Sequence, residues 1–167
     1  SYNSFYGFQT DGIFQNEAEL NAYKNADGGL IQPNARPGDF KWVDTNNDGT
    51  ITDDDKTFLG SNLPKYTFGL TVNLGYKNFD FMAFGQGAAG NKIFQGLRRL
   101  DINNSNYQTK VLSRWTGEGT SNDYPRLISS DPNGNFTKMS DFYLEDGDYL
   151  RLKLVQIGYT FKLKALD

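Results

Sequence analysis

The residues with the clearest chemistry lie between Asp44 and Asp55, where the chain reads DTNNDGTITDDD. Oxygen-bearing side chains recur there at alternate positions, and Gly49 occupies the sixth position, where such a loop must turn sharply. This is the ligand spacing of an EF-hand calcium loop, in which hard oxygen ligands surround a hard cation. The predicted ligands, in loop order, are Asp44, Asn46, Asp48, Thr50 through its backbone carbonyl, Thr52 through a bound water, and Asp55.

The last ligand departs from the EF-hand pattern, because Asp55 stands where that pattern has Glu. The shorter side chain reaches an ion less easily with both oxygens, which lowers the expected calcium affinity and lets Mg²⁺ compete better. The alternative is a turn without metal, since Asn, Asp and Gly favour turns by themselves. The metal interpretation is preferred because the ligand types match in order as well as in composition.

Composition excludes several kinds of site. The 167 residues contain no Cys and no His, so the chain has no disulfide, no thiol chemistry, and no conventional triad or zinc site of its own. The net charge is −3, segment 40–56 accounts for it, and no basic patch indicates a nucleic-acid partner. Carboxylates such as Glu145 and Asp146 show no spacing that marks a glycosidase pair. Neither enzymatic activity nor a catalytic residue is expected.

The general class of the chain is all-β. Aromatic residues make up 15% of it and Gly contributes 18 residues, which is typical of strands joined by many turns. No run of 18 apolar residues predicts a transmembrane helix. No signal peptide is visible at Ser1, so the chain is interpreted as an internal piece of a longer protein.

The strongest secondary-structure signal is a strand predicted at residues 66–76. Apolar residues alternate there with small or polar residues, and aromatic residues stand at both ends. Strands of soluble proteins usually have about 5–6 residues. A strand that spans a membrane needs about 9–11 residues and carries aromatic residues at both interfaces. The length therefore favours a membrane strand over a strand of a soluble sandwich.

Two more strands follow the same pattern. One is predicted at residues 79–87, directly after a minimal turn at Lys77 and Asn78. The other is predicted at residues 149–161. Its apolar residues shift from even to odd positions near Leu154, which indicates a β-bulge.

Long segments connect these strands. A short aromatic strand is predicted at about residues 2–10, followed by a long loop at about 11–65 and a second at about 88–148. The first loop carries an amphipathic helix predicted at residues 14–26, with Asn16 as its N-cap. Minimal turns at one end of a sheet and long loops at the other are the asymmetry of outer-membrane barrels.

The segments PGDFKWVDTNNDGTITDDD and FLGSNLPKYTFGLTVNLGYKNFDF together resemble the carboxy-terminal region of the SusC/RagA family of TonB-dependent outer-membrane transporters. Five further segments agree in order and spacing, so the resemblance covers nearly the whole chain. They are DGIFQNEAEL at 11–20, FGQGAAGN at 84–91, RWTGEG at 114–119, DYPRL at 123–127 and EDGDYLRLKLVQIGYTF at 145–161.

The resemblance implies that residues 1–167 are part of the carboxy-terminal domain of a large antiparallel transmembrane β-barrel, without the plug domain. It implies location in the cell outer membrane, contact with outer-membrane lipid, a SusD-like lipoprotein lid, and TonB acting through a missing amino-terminal region. The cargo implied is a glycan or an oligopeptide, and the two long loops would be extracellular.

Two groups of side chains then take expected roles. Asn73, Asp80, Gln86 and Arg151 would face the lumen or the plug, mainly for packing. The loop aromatics could stack on sugars, but packing against one another is preferred, because large aromatic side chains usually bury. These aromatics are Trp42, Trp115, Tyr107 and Tyr124.

Two soluble alternatives remain open from the residues alone. Dockerin repeats share this type of calcium loop, but they carry two copies, each followed by a helix, and one copy is found here. A secreted, calcium-stabilised, β-rich carbohydrate-binding module is the remaining alternative. Detergent dependence of folding would separate such a module from a membrane barrel.

Overall fold

The computed structural model describes residues 3–96 and 107–162, which form mostly strands with little helix. The all-β prediction is confirmed at that level. The strands are β1 (Ser4–Gly7), β2 (Thr10–Ile13), β3 (Phe40–Trp42), β4 (Thr57–Ser61), β5 (Tyr66–Tyr76), β6 (Phe79–Ala89), β7 (Lys92–Phe94), β8 (Leu144–Asp146) and β9 (Tyr149–Tyr159), and the α-helix is α1 (Glu17–Ala22).

The chain divides into two compact units. One, called the folded unit here, comprises Ser1–Gly60 and Phe94–Glu145. The other, called the sheet unit, comprises Ser61–Ile93 and Asp146–Asp167. The predicted calcium loop belongs to the folded unit, and the three predicted membrane strands belong to the sheet unit.

The sheet unit contains three long antiparallel strands in the order β5-β6-β9. Strand β5 has the predicted bounds, and its last residue, Tyr76, pairs with Phe79 across the predicted two-residue turn. Lys77 adopts a φ of 55° in that turn. Such a positive φ suits a minimal hairpin connection, because it matches the twist of the flanking strands.

The predicted β-bulge lies on β9. Phe84 pairs with Leu154, but its neighbour Gly85 pairs with Leu152, so Lys153 is the extra residue. Because of the bulge, the even-numbered apolar residues before it and the odd-numbered apolar residues after it lie on one face of the sheet. Arg151 and Gln86 pair on the opposite face, as predicted from the shift of the apolar positions near Leu154.

One face of this sheet is apolar and open. Apart from the half-buried Phe81, its large side chains have exposed fractions from 37%, at Val72, to 77%, at Leu150. An apolar surface of this extent marks contact with a membrane or another protein. The exposed members are Tyr66, Phe68, Leu70, Val72, Leu74, Tyr76, Phe79, Leu150, Leu152, Val155, Ile157 and Tyr159.

Two of the predicted strand bounds need correction. Strand β6 continues to Ala89 instead of ending at Gly87, because Ala89 still pairs with Tyr66 at the start of β5. Strand β9 ends at Tyr159 instead of Phe161. Tyr159 pairs with the first residue of β6, so no residue of β6 remains to pair with Phe161.

In the folded unit, β1 pairs with β4, and β2 pairs with β3. The single strand predicted at residues 2–10 is therefore two strands that have different partners. The chain changes partner at Phe8, whose N–H donates to the Met139 carbonyl (2.9 Å) and whose carbonyl accepts from the Asp141 N–H (3.1 Å). A local alternation pattern does not contain these distant partners.

The helix predicted at residues 14–26 is shorter than expected. Asn16 caps it as predicted, with its Oδ1 accepting from the Glu19 N–H (3.0 Å). The helix ends at Ala22, because Tyr23 has a non-helical ψ of 81° and Asn25 starts a turn by accepting from the Gly29 N–H (2.8 Å). Leu20 is the buried residue of this helix.

The folded unit has two apolar clusters. The larger consists of Phe8, Ile13, Phe40 and Trp42, with Ile51, Trp115 and Phe142 packed against it. The smaller consists of Phe14, Leu20 and Ala35, with Tyr23 and Leu30 beside it. The larger cluster combines residues from before and after the predicted calcium loop, so this part of the core determines where that loop lies. The smaller cluster draws only on residues that precede the loop.

We expect Gly87→Val to weaken the sheet unit. A Cβ at Gly87 would lie 2.5 Å from the Tyr149 carbonyl oxygen and would meet the Phe68 ring, whereas nothing lies within 4 Å of a Cβ at Gly75. Overpacking of this kind costs about 1–3 kcal/mol. The measurement is the urea midpoint of the detergent-purified parent protein, with Gly75→Val as the control. Equal midpoints for the two variants would contradict the packing described.

Candidate metal centre

The first half of the predicted calcium loop is a closed turn built on two acidic side chains. Asp44 accepts from the Gly49 N–H through Oδ2 (2.8 Å) and from the Asp48 N–H through Oδ1 (3.2 Å). Asp48 Oδ1 accepts from both the N–H and the hydroxyl of Thr50 (2.9 Å each). Asn46 Oδ1 accepts from the Asp48 N–H (3.0 Å). Four of the predicted ligands are therefore neighbours in one turn.

The turn occurs where the motif requires it. Gly49 has a φ of 84°, a conformation that residues with a side chain rarely adopt. A Cβ at Gly49 would also lie 2.5 Å from the Asn25 Cβ, so the loop approaches the turn that follows α1 closely. Asn47, with a φ of 59°, supplies the other left-handed residue of the loop.

The second half of the loop is anchored by Asp55, which is completely buried. Its Oδ1 accepts from the Thr45 N–H (2.8 Å), and its Oδ2 accepts from the Thr52 N–H (2.7 Å). The Thr52 hydroxyl accepts from the Asp54 N–H (3.3 Å), so Thr52 caps the 3-10 helix Asp53–Asp55. Thr52 is thus a capping residue in this structure, and Asp55 joins the two ends of the loop.

The fit of these donors to a hard cation depends on the type of their oxygens and on how closely they are grouped. Within residues 3–96 and 107–162, no three or more His, Cys, Asp or Glu side chains are grouped so that they could hold a metal ion. The oxygen types, however, suit Ca²⁺ or Mg²⁺. A carboxylate offers about four lone-pair sites, and Asp44 and Asp55 use only part of that capacity in the bonds described. The residues therefore fit a hard cation in type and order.

The loop packs on the larger apolar cluster. Ile51, which lies between the predicted ligands Thr50 and Thr52, packs against that cluster. The Tyr23 hydroxyl donates to the Trp42 carbonyl (2.8 Å) and accepts from the Asp44 N–H (3.3 Å). The start of the loop is therefore tied to the end of α1 and to β3.

Three ionisable groups in or beside the loop have shifted pKa values. Hydrogen bonds from Asn46, and then from Thr50, lower the pKa of Asp48. Burial raises the pKa of Tyr23 and lowers that of Lys138. In the case of Lys138, the charges of nearby acids partly oppose the effect of burial.

A buried polar network braces the second edge of β3. The Phe40 N–H donates to Asn135 Oδ1 (3.0 Å), the Trp42 N–H donates to Gln32 Oε1 (2.8 Å), and the Phe40 carbonyl accepts from Gln32 Nε2 (3.0 Å) and Asn133 Nδ2 (2.9 Å). Side-chain amides thus take the place of a neighbouring strand. Buried backbone groups need such partners, because an unpaired group costs free energy.

Asp39 completes this network and is completely buried. Its two oxygens accept from Arg126, at 2.6 Å from Nε and 2.9 Å from Nη2, and Oδ1 also accepts from Asn135 Nδ2 (2.9 Å). These residues were not predicted from the sequence, in which segment 123–127 was recognised only as part of a family motif. The sequence of a turn does not indicate which distant backbone groups its polar side chains will hydrogen-bond.

The aromatic side chains of the folded unit mainly pack, as preferred from the sequence. Trp42 and Tyr124 are buried, and Trp115 packs against the larger cluster. Tyr107 is 39% exposed, but its ring lies 6.3 Å from that of Phe136.

We expect Asn135→Ala to destabilise the folded unit by about 2–4 kcal/mol, because it leaves the Phe40 N–H and an Asp39 oxygen without this partner. Native-state hydrogen exchange at the amides of β3 measures the effect. Asn34→Ala removes an exposed amide from the same unit and is the control. If the two variants exchange alike, the network does not support β3.

We expect the Asp48 carboxyl to titrate below its ordinary pKa of 3.8 when the loop is free of metal. Because this pKa is lowered, the contribution of the Asp48 carboxylate to loop stability is complete above pH 3.8. That contribution is lost as the pH falls through the lowered pKa. NMR of the side-chain carboxyl carbon in chelator gives the titration curve. Asn46→Ala should raise this pKa, and an unchanged curve would contradict the assigned cause.

No helix in the part of the chain that the structure describes is long and apolar enough to cross a membrane.

No family model matches the chain. It is, however, similar to several curated proteins, and it spans about one-sixth of the length of the first of them.

TonB-dependent receptor P26 of Formosa agariphila is 36% identical over 97% of this chain and 16% of its own length. TonB-dependent receptor P3 of the same organism is 30% identical over 94% of this chain and 15% of its own length. TonB-dependent receptor SusC of Bacteroides thetaiotaomicron is 27% identical over 80% of this chain and 13% of its own length.

Proposed function

We propose that this chain, a SusC-like homologue of the TonB-dependent receptors, forms part of the barrel wall of an outer-membrane nutrient importer. The observation that carries the proposal is the three-stranded sheet of the sheet unit, with its long strands and its open apolar face. TonB-dependent receptors are outer-membrane proteins, and the outer membrane is the location of this chain. The relatives are receptors and not enzymes, and no catalytic role is proposed here.

The dimensions of the sheet support a membrane position. Each of its three strands has 11 residues, and an 11-residue strand rises about 36 Å. Tilted by about 45°, it spans about 25 Å, which is the height of the apolar band of outer-membrane barrels. On the apolar face, Tyr66 stands at one end of β5, and Tyr76, Phe79 and Tyr159 stand at the other. This arrangement supports aromatic girdles at both interfaces.

The opposite face of the sheet supplies the lumen side in this proposal. The register puts Asn73, Asp80, Gln86 and Arg151 on that face. Polar side chains on the inner surface and apolar ones on the outer surface are the alternation of a membrane barrel. We assign these four residues to packing against the plug or the lumen, and none of them to a substrate.

The cargo and partners form the finer part of the proposal. We infer a glycan or an oligopeptide as cargo, a SusD-like lipoprotein as lid, and TonB contact through a region outside these residues. The folded unit would lie on the extracellular side. Its buried core and braced β3 support a preformed surface rather than a pair of unstructured loops.

We further propose that the loop at residues 44–55 binds Ca²⁺, with Mg²⁺ as a competitor. Asp44, Asn46, Asp48, Asp55 and the Thr50 carbonyl would hold the ion. Thr52 would contribute through water and through its cap. The ion would stabilise the folded unit, because ordering a loop costs about 1–2 kcal/mol of backbone entropy per residue and metal binding offsets part of that cost.

An antibody against this chain tests the barrel assignment in native cells. The expected result is a parent band far larger than 18.8 kDa, found in the outer membrane, whose gel mobility changes on heating as that of a closed barrel does. A soluble, secreted band near 18.8 kDa, unaffected by detergent, would contradict the proposal and favour the carbohydrate-binding module.

Charge on the two faces of β5 should have unequal effects. Leu70 lies on the apolar face and Asn73 on the opposite face. Leu70→Arg should cost about 2–4 kcal/mol near the bilayer midplane and reduce the heat-modifiable outer-membrane form. Asn73→Arg is the matched control and should assemble normally. Equal assembly of both variants would argue against a lipid-facing row.

The metal proposal is tested by exchanging one acid at a ligand position and one beside it. Asp48 and Asp54 are both exposed acids in the same loop, but only Asp48 is a proposed ligand. Asp48→Asn should raise at least tenfold the calcium concentration that protects amides 44–55 from hydrogen exchange, because calcium affinity depends on the charge of the ligands. Asp54→Asn should change it little. Protection that does not respond to calcium in the wild type would disprove the metal site.

A further inference from the structure

The dipeptide Asn-Gly occurs once in the chain, at Asn133 and Gly134. Asparagine before glycine is prone to spontaneous loss of its side-chain amide, because glycine neither shields its own nitrogen nor restricts the backbone. The Gly134 nitrogen loses its proton to water and bonds to the side-chain carbonyl carbon of Asn133. The amide C–N bond breaks, and the amide nitrogen takes up a proton and leaves as ammonia. Water then opens the succinimide ring that has formed and leaves aspartate or isoaspartate.

The fold restrains the Asn133 side chain from this reaction. Only 6% of the residue is exposed. Its Nδ2 donates to the Phe40 carbonyl (2.9 Å) and to Asn135 Oδ1 (2.8 Å), and its Oδ1 accepts from Gln32 Nε2 (2.9 Å). Departure of Nδ2 breaks two of these hydrogen bonds, and rotation of the side chain breaks the third. The reaction therefore requires the contact between this side chain and β3 to open.

The attacking nitrogen is also engaged. The Gly134 N–H donates to the Asp131 carbonyl (3.0 Å). The Asp131 carboxylate accepts from the N–H groups of Asn135 (2.8 Å) and Phe136 (2.9 Å), which closes the turn around Gly134. A backbone N–H in such a bond becomes available only when the segment opens locally.

Both residues of the reactive pair are required by the structure. Gly134 has a φ of 74°, which residues with a side chain rarely adopt, and a Cβ there would lie 3.0 Å from the Lys138 Cγ. Asn133 supplies a donor to the Phe40 carbonyl and an acceptor to Gln32 from one side chain. The reactive pair is therefore part of the bracing of β3.

The product of the reaction is incompatible with this bracing. Aspartate at position 133 places an oxygen, in the position of Nδ2, against two acceptors, the Phe40 carbonyl and Asn135 Oδ1. Asn135 cannot turn its amide to supply a donor without losing its bonds to the Phe40 N–H (3.0 Å) and to Asp39 Oδ1 (2.9 Å). A buried charge without a donor is strongly unfavourable. Isoaspartate additionally lengthens the backbone of the turn.

We propose that Asn133 is a latent self-modification site of the folded unit. It is closed while Gln32, Asn133 and Asn135 brace β3, and it deamidates when the bracing opens. The modified residue prevents the bracing from re-forming, so a transient opening becomes a permanent loss of β3. This proposal depends on neither the metal site nor the barrel assignment.

The first test follows deamidation in the purified parent protein in detergent. Tryptic peptide 127–138 contains Asn133 and Asn135, and fragmentation in the mass spectrometer assigns the change from amide to carboxylate to one of them. Asn133 should react about tenfold or more slowly in native than in urea-unfolded protein at the same pH and temperature, because the native rate depends on the open fraction. Asn135 precedes the bulky Phe136 and is the internal control for reactivity. Equal rates at Asn133 in both states would overturn the proposal.

The second test links the reaction to β3. Gln32→Ala removes the partner of Asn133 Oδ1, and Asn34→Ala removes an exposed amide from the same unit as a matched control. Gln32→Ala should raise the native deamidation rate about fivefold or more and raise hydrogen exchange of the β3 amides by a similar factor. Asn34→Ala should change neither. If Gln32→Ala does not fold, the wild type in increasing urea below the unfolding transition gives the same comparison. Deamidation that does not follow β3 exchange would contradict the control by bracing.

The third test examines the irreversible step. Asn133→Asp makes one product directly, and Asn34→Asp makes the same charge change at an exposed position. The β3 amides should exchange about tenfold or more faster in Asn133→Asp than in Asn34→Asp. If Asn133→Asp does not fold, partly reacted wild type is used, in which the deamidated and intact forms of the peptide at 127–138 differ in mass. The deamidated form should exchange faster. Equal exchange in either comparison would show that the modification leaves the bracing intact.

Discussion

The buried contact between Asp39 and Arg126 is the constraint on which the folded unit depends. Asp39 has no exposure to solvent, so its charge requires a partner, and the two hydrogen bonds from Arg126 supply one. The same carboxylate receives Asn135, which in turn pairs with the Phe40 N–H. Removing one member would leave a buried charge or backbone group unpaired, which costs far more than a surface contact does. The position of β3, and with it the start of the loop at residues 44–55, follows from this arrangement.

The two units obtain their stability in different ways. The folded unit buries aromatic and aliphatic side chains around Phe8, Phe14 and Trp42. The sheet unit instead leaves the large side chains of its apolar face open. In water such a face is unfavourable, since each buried CH₂ group is worth about 0.8 kcal/mol. The sheet therefore requires an apolar environment, and the outer membrane of the proposed importer supplies one.

Features with a local cause could be predicted from the sequence, and features with a distant cause could not. The bounds of β5, the turn at Lys77 and the bulge at Lys153 follow from alternation and its phase, which are local. The N-cap at Asn16 and the turn at Gly49 are likewise local. The division of the first strand was missed because its two halves pair with β4 and β3, and Phe8 between them bonds Met139 and Asp141, none of which a local alternation pattern includes. The amide bracing of β3 by Asn133 and Asn135 escaped for the same reason.

The central claim is that one face of β5 contacts lipid. The chain has no Cys, so single nitroxide-labelled cysteines can be introduced at successive positions from 67 to 75, in a parent protein free of other cysteines. Their collision rates with oxygen, which concentrates in lipid, and with a polar nickel complex can then be compared in membranes. The account predicts a period of two, with high oxygen access at positions 68, 70, 72 and 74 and low access at the positions between them. A scan without alternation, or with the nickel complex favoured at those four positions, would contradict it.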